Sequence, residues 1–179
     1  MSAEFNVRRH LVIVPHANIL RIMSIRAFSP SDLPAVLEIY AQSKLDELSN
    51  ETHVPTLIPL NLDDQRFNSF NRSIACVYES TCVLGYGARS GNEITALFVH
   101  PAGRGQGVGR ALLEHLLAQL PGHCHLHVAA SNTAAISLYQ QYGFAVSASF
   151  VANYNGLPIS AATMRRPAVA LAVSAAGSA

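Results

Sequence analysis

Phe98-Val99-His100-Pro101-Ala102-Gly103-Arg104-Gly105-Gln106-Gly107-Val108-Gly109-Arg110 joins an apolar strand, a loop with glycine at every second position and the start of a helix in one run. Alternate glycines remove the Cβ atoms that would hold a bulky anion away from the backbone. The helix that follows offers unpaired N–H groups and the positive end of its dipole. Such a loop is suited to hold a phosphate or pyrophosphate on main-chain amides. A P-loop needs Lys and then Ser or Thr after its last glycine, whereas Gly109 is followed by Arg110 and Ala111. A dinucleotide fingerprint counted from Gly105 finds Gly107 and then Arg110 where the third glycine belongs. Neither nucleotide motif is satisfied.

On either side the apolar pattern yields a series of short elements. Ser24 to Ala27 reads as a strand. Ser31 can cap a helix with Pro34 in its first turn, and Leu33, Val36, Leu37 and Tyr40 recur at helical spacing. Lys44 to Leu60, with Asn50, Pro55 and Pro59, reads as a long loop, and Leu62 to Phe70 as a short helix with Phe67 and Phe70 inward. Ile74 to Glu79, Val83 to Arg89 and Ile94 to Val99 form an antiparallel meander. After the glycine loop, Val108, Leu112, Leu113, Leu116, Leu117 and Leu120 give a broad apolar stripe, stopped by Pro121-Gly122. His123 to Ala129 is then a strand parallel to its predecessor, because a helix joins the two. A helix capped by Ser131 or Asn132 runs to about Tyr142, where Gly143 closes it and Tyr142 packs inward. Strands near Val146 to Ala152 and Pro158 to Met164 flank the hairpin signal Asn155-Gly156.

Arg-Gly-x-Gly-x-Gly after a strand ending in Val-x-Pro resembles the acyl-CoA-binding motif of the GNAT superfamily of N-acyltransferases. The order β-α-α-β-β-β-α-β-α-β-β resembles the same fold. A third likeness lies in Asn132-Thr133-Ala134-Ala135-Ile136-Ser137-Leu138-Tyr139-Gln140-Gln141-Tyr142-Gly143-Phe144, similar to the family's N-x-x-A-x-x-L-Y-x-x-x-G-F segment. These likenesses span about residues 23 to 166. They imply an α/β domain: a mixed sheet of about seven strands and four helices, its fourth and fifth strands parallel and splayed around acetyl-CoA, its last two a hairpin.

The resemblance also implies roles. Backbone amides of Arg104, Gly105, Gln106, Gly107, Val108, Gly109 and Arg110 would grip the pyrophosphate. Main-chain N–H groups of Leu97, Phe98 and Val99 would polarise the acyl carbonyl. Asn132 would bond the pantetheine amides, and Ala135 would leave room for that arm. Asparagine before a helix is also a common cap. Tyr139 would act as general acid toward the departing thiolate, being protonated near neutrality with an ordinary pKa of ~10. Glu93, at the start of the strand ending at Val99, would serve as base, though a solvated carboxylate beside the turn Gly91-Asn92 is an equal reading. The reaction implied is direct attack of a primary amine on acetyl-CoA without an acyl-enzyme, since no Cys, Ser or His constellation suggests a nucleophile. A non-catalytic acyl-CoA sensor or partner-binding module on the same fold is the alternative. A nucleotide-binding domain is a weaker rival.

No metal is expected. His123, His125 and His127 share one strand face, but no carboxylate or cysteine partner is evident on that face, and Cys124 points the other way. His100 reads as a surface residue near the donor. The acceptor side holds Asp46, Glu47, Glu51, Asp63 and Asp64 against Lys44 and Arg66. This acidity suits a cationic small-molecule or peptide amine, and a solvated helix face explains it equally well.

The 179 residues fit one domain, and 50% hydrophobic composition is ample for a core. A net charge of +1 with only 13% charged residues argues against nucleic acid as partner. Three cysteines without metal-type spacing imply free thiols and a cytoplasmic location. Leu11 to Val14 is too short for a signal-peptide core, and no segment approaches the roughly 20 apolar residues of a membrane span. The expected boundaries are an N-terminal extension at 1–22, the domain at 23–166 and a disordered tail at 167–179. A homodimer is left open.

Overall fold

A computed structural model describes residues 23–168. The expected N-terminal extension, and all but the first two residues of the expected tail, lie outside that range. Seven strands form one mixed sheet in the order β1-β2-β3-β4-β5-β7-β6. They are β1 (Ser24–Ala27), β2 (Ile74–Glu79), β3 (Val83–Ser90), β4 (Glu93–Val99), β5 (Cys124–Ala129), β6 (Ala145–Tyr154) and β7 (Leu157–Arg166). The helices are α1 (Leu33–Ser43), α2 (Asp64–Asn71), α3 (Val108–Ala118) and α4 (Thr133–Gln141). Element type and order agree with the sequence reading throughout.

Period-two alternation gives the sheet two buried faces. On β2, Cys76 and Tyr78 face α3 and α4, while Val77 faces α1 and α2. The first core gathers the apolar stripe of α3 with Leu126, Tyr139 and Met164. The second packs Val36, Ile39 and Tyr40 of α1 and Phe70 of α2 against Val77 and Tyr86. Half-buried Phe67 packs against this second core. The hairpin joining β6 to β7 turns at Asn155 (φ 51°) and Gly156 (φ 89°), the two positive angles a tight two-residue turn requires.

Several local expectations change. Ser31 does not cap α1. Instead Pro30–Asp32 forms a 3-10 turn, and the Asp32 carboxylate accepts from the Ser29 N–H at 2.8 Å. That carboxylate also pairs with Arg26 at 2.6 Å, which tethers the start of α1 to β1 and holds Asp32 below the usual carboxylate range. Asp63 caps α2 through the Arg66 N–H at 2.9 Å, so the helix begins two residues later than expected. The expected long loop opens with a 3-10 segment, Lys44–Leu48. Leu48 is buried with Ala129, Tyr154 and Ile159, and so fastens this segment beside the ends of β5 and the last hairpin. Hydrophobic periodicity could not show this, because one turn of 3-10 helix carries too few apolar residues. Tyr142 is half-buried rather than an inner-face residue, and its hydroxyl donates to Glu114 at 2.5 Å.

Close packing of α3 on β3 requires Gly85. A Cβ there would lie 2.9 Å from the Phe98 carbonyl oxygen and 2.9 Å from Val108 Cγ1. Gly85→Ala should therefore destabilise the domain by about 1–3 kcal/mol in urea unfolding. Gly122→Ala, where a Cβ would meet nothing within 4 Å, should stay within about 0.5 kcal/mol of the parent.

Candidate functional site

β4 and β5 are parallel and pair at only two positions, Glu93↔His125 and Ile94↔Leu126. Beyond Ile94 the strands part. β5 instead pairs along its full length with β7, from Cys124↔Arg166 to Ala129↔Ala161. The result is a cleft of about 400 Å³ with β4 on one wall and β5 and α4 on the other. On its far side β4 is fully paired with β3, from Ser90↔Glu93 to Gly85↔Val99.

Strand alternation decides which amides reach the cleft. The His100 N–H donates to the Leu84 carbonyl at 2.9 Å, on the β3 side. Amides two and four residues earlier, Phe98 and Ala96, then also face β3, while Leu97 and Val99 turn their N–H groups into the gap. Phe98 therefore contributes its ring and not its amide. The ring stacks on Tyr86 with centroids 5.4 Å apart and lies 5.7 Å from Tyr40.

At the mouth, the loop has the backbone form expected of an anion cradle. Gly105 (φ 71°) and Gly107 (φ 79°) are left-handed, and a Cβ on either would meet nothing within 4 Å. Their glycines are required by backbone angle, and the space above them is open. Gly107 is also the N-cap of α3, which leaves the first-turn amides of that helix pointing outward. Gly109 carries neither constraint, since a Cβ there would only reach ordinary contact, 3.4 Å from Val99 Cγ2. Val108 is fully buried in the core, so only its backbone can reach a ligand. Gln106 braces the loop by donating to the Ala102 carbonyl at 2.6 Å. His100 accepts from the Ala102 N–H at 3.1 Å and so shapes the preceding turn.

The two arginines diverge. Arg104 lines the cleft and pairs with Asp46 from the 3-10 segment. Arg110 reaches across to α4, donating to Gln141 at 3.0 Å and lying over the Tyr142 ring at 5.9 Å. Its side chain ties α3 to α4, a role the glycine pattern did not suggest.

Deeper in the cleft lie Asn132, Ala135 and Tyr139. Asn132 Oδ1 caps α4 by accepting from the Ala135 N–H at 3.1 Å, which leaves its Nδ2 as a donor for a ligand. Tyr139 is 8% exposed, its ring 5.8 Å from that of Phe144. Burial first, and the negative charge of Glu47 second, push its phenol above the ordinary tyrosine value. A phenol so placed stays protonated across the neutral and mildly alkaline range.

Glu93 does not line the cleft, but His127 does. Register puts Glu93 opposite His125, and His127 follows on the same face. Glu93 Oε1 lies 4.0 Å from His127 Nε2, and Oε2 lies 3.9 Å from His125 Nε2. The premise that no carboxylate shares the histidine face is thus corrected, since the carboxylate comes from the neighbouring strand. These three side chains bring donor atoms within 4.8 Å of one another, near enough for a cation to bridge. Thr163 Oγ1 lies 3.1 Å from His127 Nδ1 and fixes the ring so that Nε2 faces Glu93. His127 was the functional candidate that sequence reasoning passed over. The alternating histidines were visible, but not the β4–β5 register that gives them a partner.

A mixed sheet split between two parallel strands, with a glycine-turned anion loop at the mouth, defines an acyl-CoA-binding class of fold. The family model for the acetyltransferase (GNAT) family matches residues 34–144, and the chain belongs to that family. It is 32% identical over 124 residues to the peptidyl-lysine N-acetyltransferase YiaC of Escherichia coli, covering 67% of this chain and 82% of YiaC. It is 39% identical over 64 residues to the peptidyl-lysine N-acetyltransferase YjaB of Salmonella typhimurium. That match spans 36% of this chain and less than half, 43%, of YjaB. The crystal structure of the ribosomal-protein-S18-alanine N-acetyltransferase from Escherichia coli superposes with a TM-score of 0.62 at 25% identity, over 83% of this chain and 96% of that one.

Among the described residues no helix is long and apolar enough to cross a membrane. Cys76 and Cys124 are buried, Cys82 is exposed, and all three are free thiols.

If the left-handed turn is the cradle, Gly107→Ala should weaken coenzyme A binding about tenfold. The left-handed conformation costs a β-carbon residue about 1–2 kcal/mol, and tenfold corresponds to about 1.4 kcal/mol. Calorimetric titration of the folded variant reads this directly, and parent-like affinity would remove the turn from the binding site.

Proposed function

We propose that the chain is an N-acetyltransferase that moves the acetyl group of acetyl-CoA to a primary amine by direct attack, in a ternary complex. The observation that carries this reading is the convergence of three features on one cleft: the β4 edge amides, the glycine cradle and the buried Tyr139 phenol. A pyrophosphate fits the cradle because Gly105 and Gly107 leave it open and the amides opening α3 point outward there. An extended pantetheine arm fits the gap, where it can pair with the β4 edge much as a missing strand would.

Acetyl-CoA, when bound, supplies a thioester carbonyl activated for acyl transfer. The chain's residues would do the rest. Leu97 and Val99 N–H groups are placed to donate to that carbonyl oxygen as it gains charge, and being fixed in a strand they need no reorganisation. Asn132 and Ala135 would hold and admit the arm. An incoming ammonium must lose a proton. His127 lines the cleft, as do Asp46 and Glu47, and would take that proton with Glu93 beside it as a positioning carboxylate. Tyr139 would return a proton to the departing sulfur, kept protonated by its burial. The free thiols suit a reducing compartment such as the cytoplasm. A non-catalytic acyl-CoA sensor needs neither the buried phenol nor the histidine.

Three variants test the assignments. Tyr139→Phe should lower kcat by about 10²-fold or more while acetyl-CoA affinity stays within about twofold. In the parent, kcat should not fall on the alkaline side up to about pH 10, because the phenol is raised and not lowered. His127→Ala should lower kcat/KM by about 10²-fold. Glu93→Gln, which leaves the ring held by Thr163, should cost less than His127→Ala. Parent-like kcat/KM in both latter variants would remove the pair from proton transfer.

A further inference from the structure

We infer that the amine acceptor is a small aminocarboxylate, held by its carboxylate in a second cavity behind β4. This rests on the transferase reading above and names the substrate class for it. The cavity holds about 170 Å³ and shares Lys44, Thr95, Ala96 and Phe98 with the cleft, so the two adjoin across β4. Its remaining walls include Tyr40, Arg66, Phe70 and Tyr86. With water taking ~30 Å³ in the liquid, this is space for a molecule of roughly ten heavy atoms or fewer.

The charged side chains lining this space are both cations, Lys44 and Arg66. Lys44 pairs with Glu47 and Arg66 with Asp63, but neither Glu47 nor Asp63 lines the cavity. The acidity read from this part of the sequence is therefore neutralised outside the cavity wall, and the cations are what a ligand meets. Tyr40 is 2% exposed and Tyr154 is 6% exposed, and their buried hydroxyls lie beside each other, with only Tyr40 lining the cavity. Lys44 Nζ sits 5.3 Å from the Tyr154 ring centre, and the Arg66 guanidinium carbon lies over the same ring at 4.4 Å. A carboxylate would accept from Tyr40, Lys44 and Arg66 together. An ammonium would find no anion in this cavity wall, so the amine end must turn toward the cleft and His127.

The test is release of coenzyme A thiol from acetyl-CoA by the full chain. The acceptors are small α- and ω-amino acids, the carboxamide of each, and a terminally capped lysine peptide. The free acid is expected to show kcat/KM at least tenfold above its own amide, which keeps size and amine but removes the charge. Arg66→Gln is expected to bring that ratio close to one, mainly through KM. Lys44→Gln gives the same reading if the first variant fails to fold. Equal or better activity with the amides, or activity with the lysine peptide alone, would overturn the aminocarboxylate assignment and leave the transferase reading standing. Thiol release with no amine at all, from protein that binds acetyl-CoA, would overturn that reading too.

Discussion

The structure depends on an interrupted strand pairing. β5 keeps only two paired positions with β4, while its other edge pairs with β7 along its whole length. The rest of the β4 edge is left with backbone groups facing a gap in the middle of a sheet. Such groups are costly to leave unmet inside a protein, and a central sheet edge is normally covered or paired. Here the gap persists because both of its walls are anchored elsewhere. β4 is locked to β3 along its length, and β5 to β7. The two cores on opposite sheet faces hold those anchors apart.

Everything with chemical potential borders that gap or the cavity beside it. The glycine cradle sits at its open end because α3 starts where β4 stops, and close packing of that helix is secured by Gly85. Tyr139 lines it because α4 follows β5 after a short turn capped by Asn132. The Lys44–Leu48 segment, pinned by Leu48, places Lys44 where cleft and cavity meet. One residue can thus border both the donor and the acceptor side. The cations near it are paired with Glu47 and Asp63 and stack on Tyr154, which fixes them in place.

Much of this was legible before any coordinates. The glycine loop, the order of elements and the Asn132–Phe144 segment pointed to the fold, because backbone angle, periodicity and helix capping are local properties. Gly107 needs its left-handed angle wherever the chain goes. What stayed hidden depended on pairing between distant residues. Glu93 and His125 are opposite each other only through the β4–β5 register, so the histidine strand looked as though it lacked a carboxylate. Asp63 and Glu47 looked like an acidic field because their pairing with Arg66 and Lys44, three residues away, depends on the Asp63 cap of α2 and on the 3-10 form of Lys44–Leu48. Phe98 was expected to donate its amide, and only the His100–Leu84 bond fixes the alternation that turns it away.

Hydrogen exchange on individual β4 amides tests the split edge most directly. With saturating coenzyme A, exchange at Leu97 and Val99 should slow sharply, while Ala96 and Phe98, already bonded to β3, should change little. Ligand binding that leaves Leu97 and Val99 exchanging at their free rate would contradict the idea that this open edge is what receives the donor.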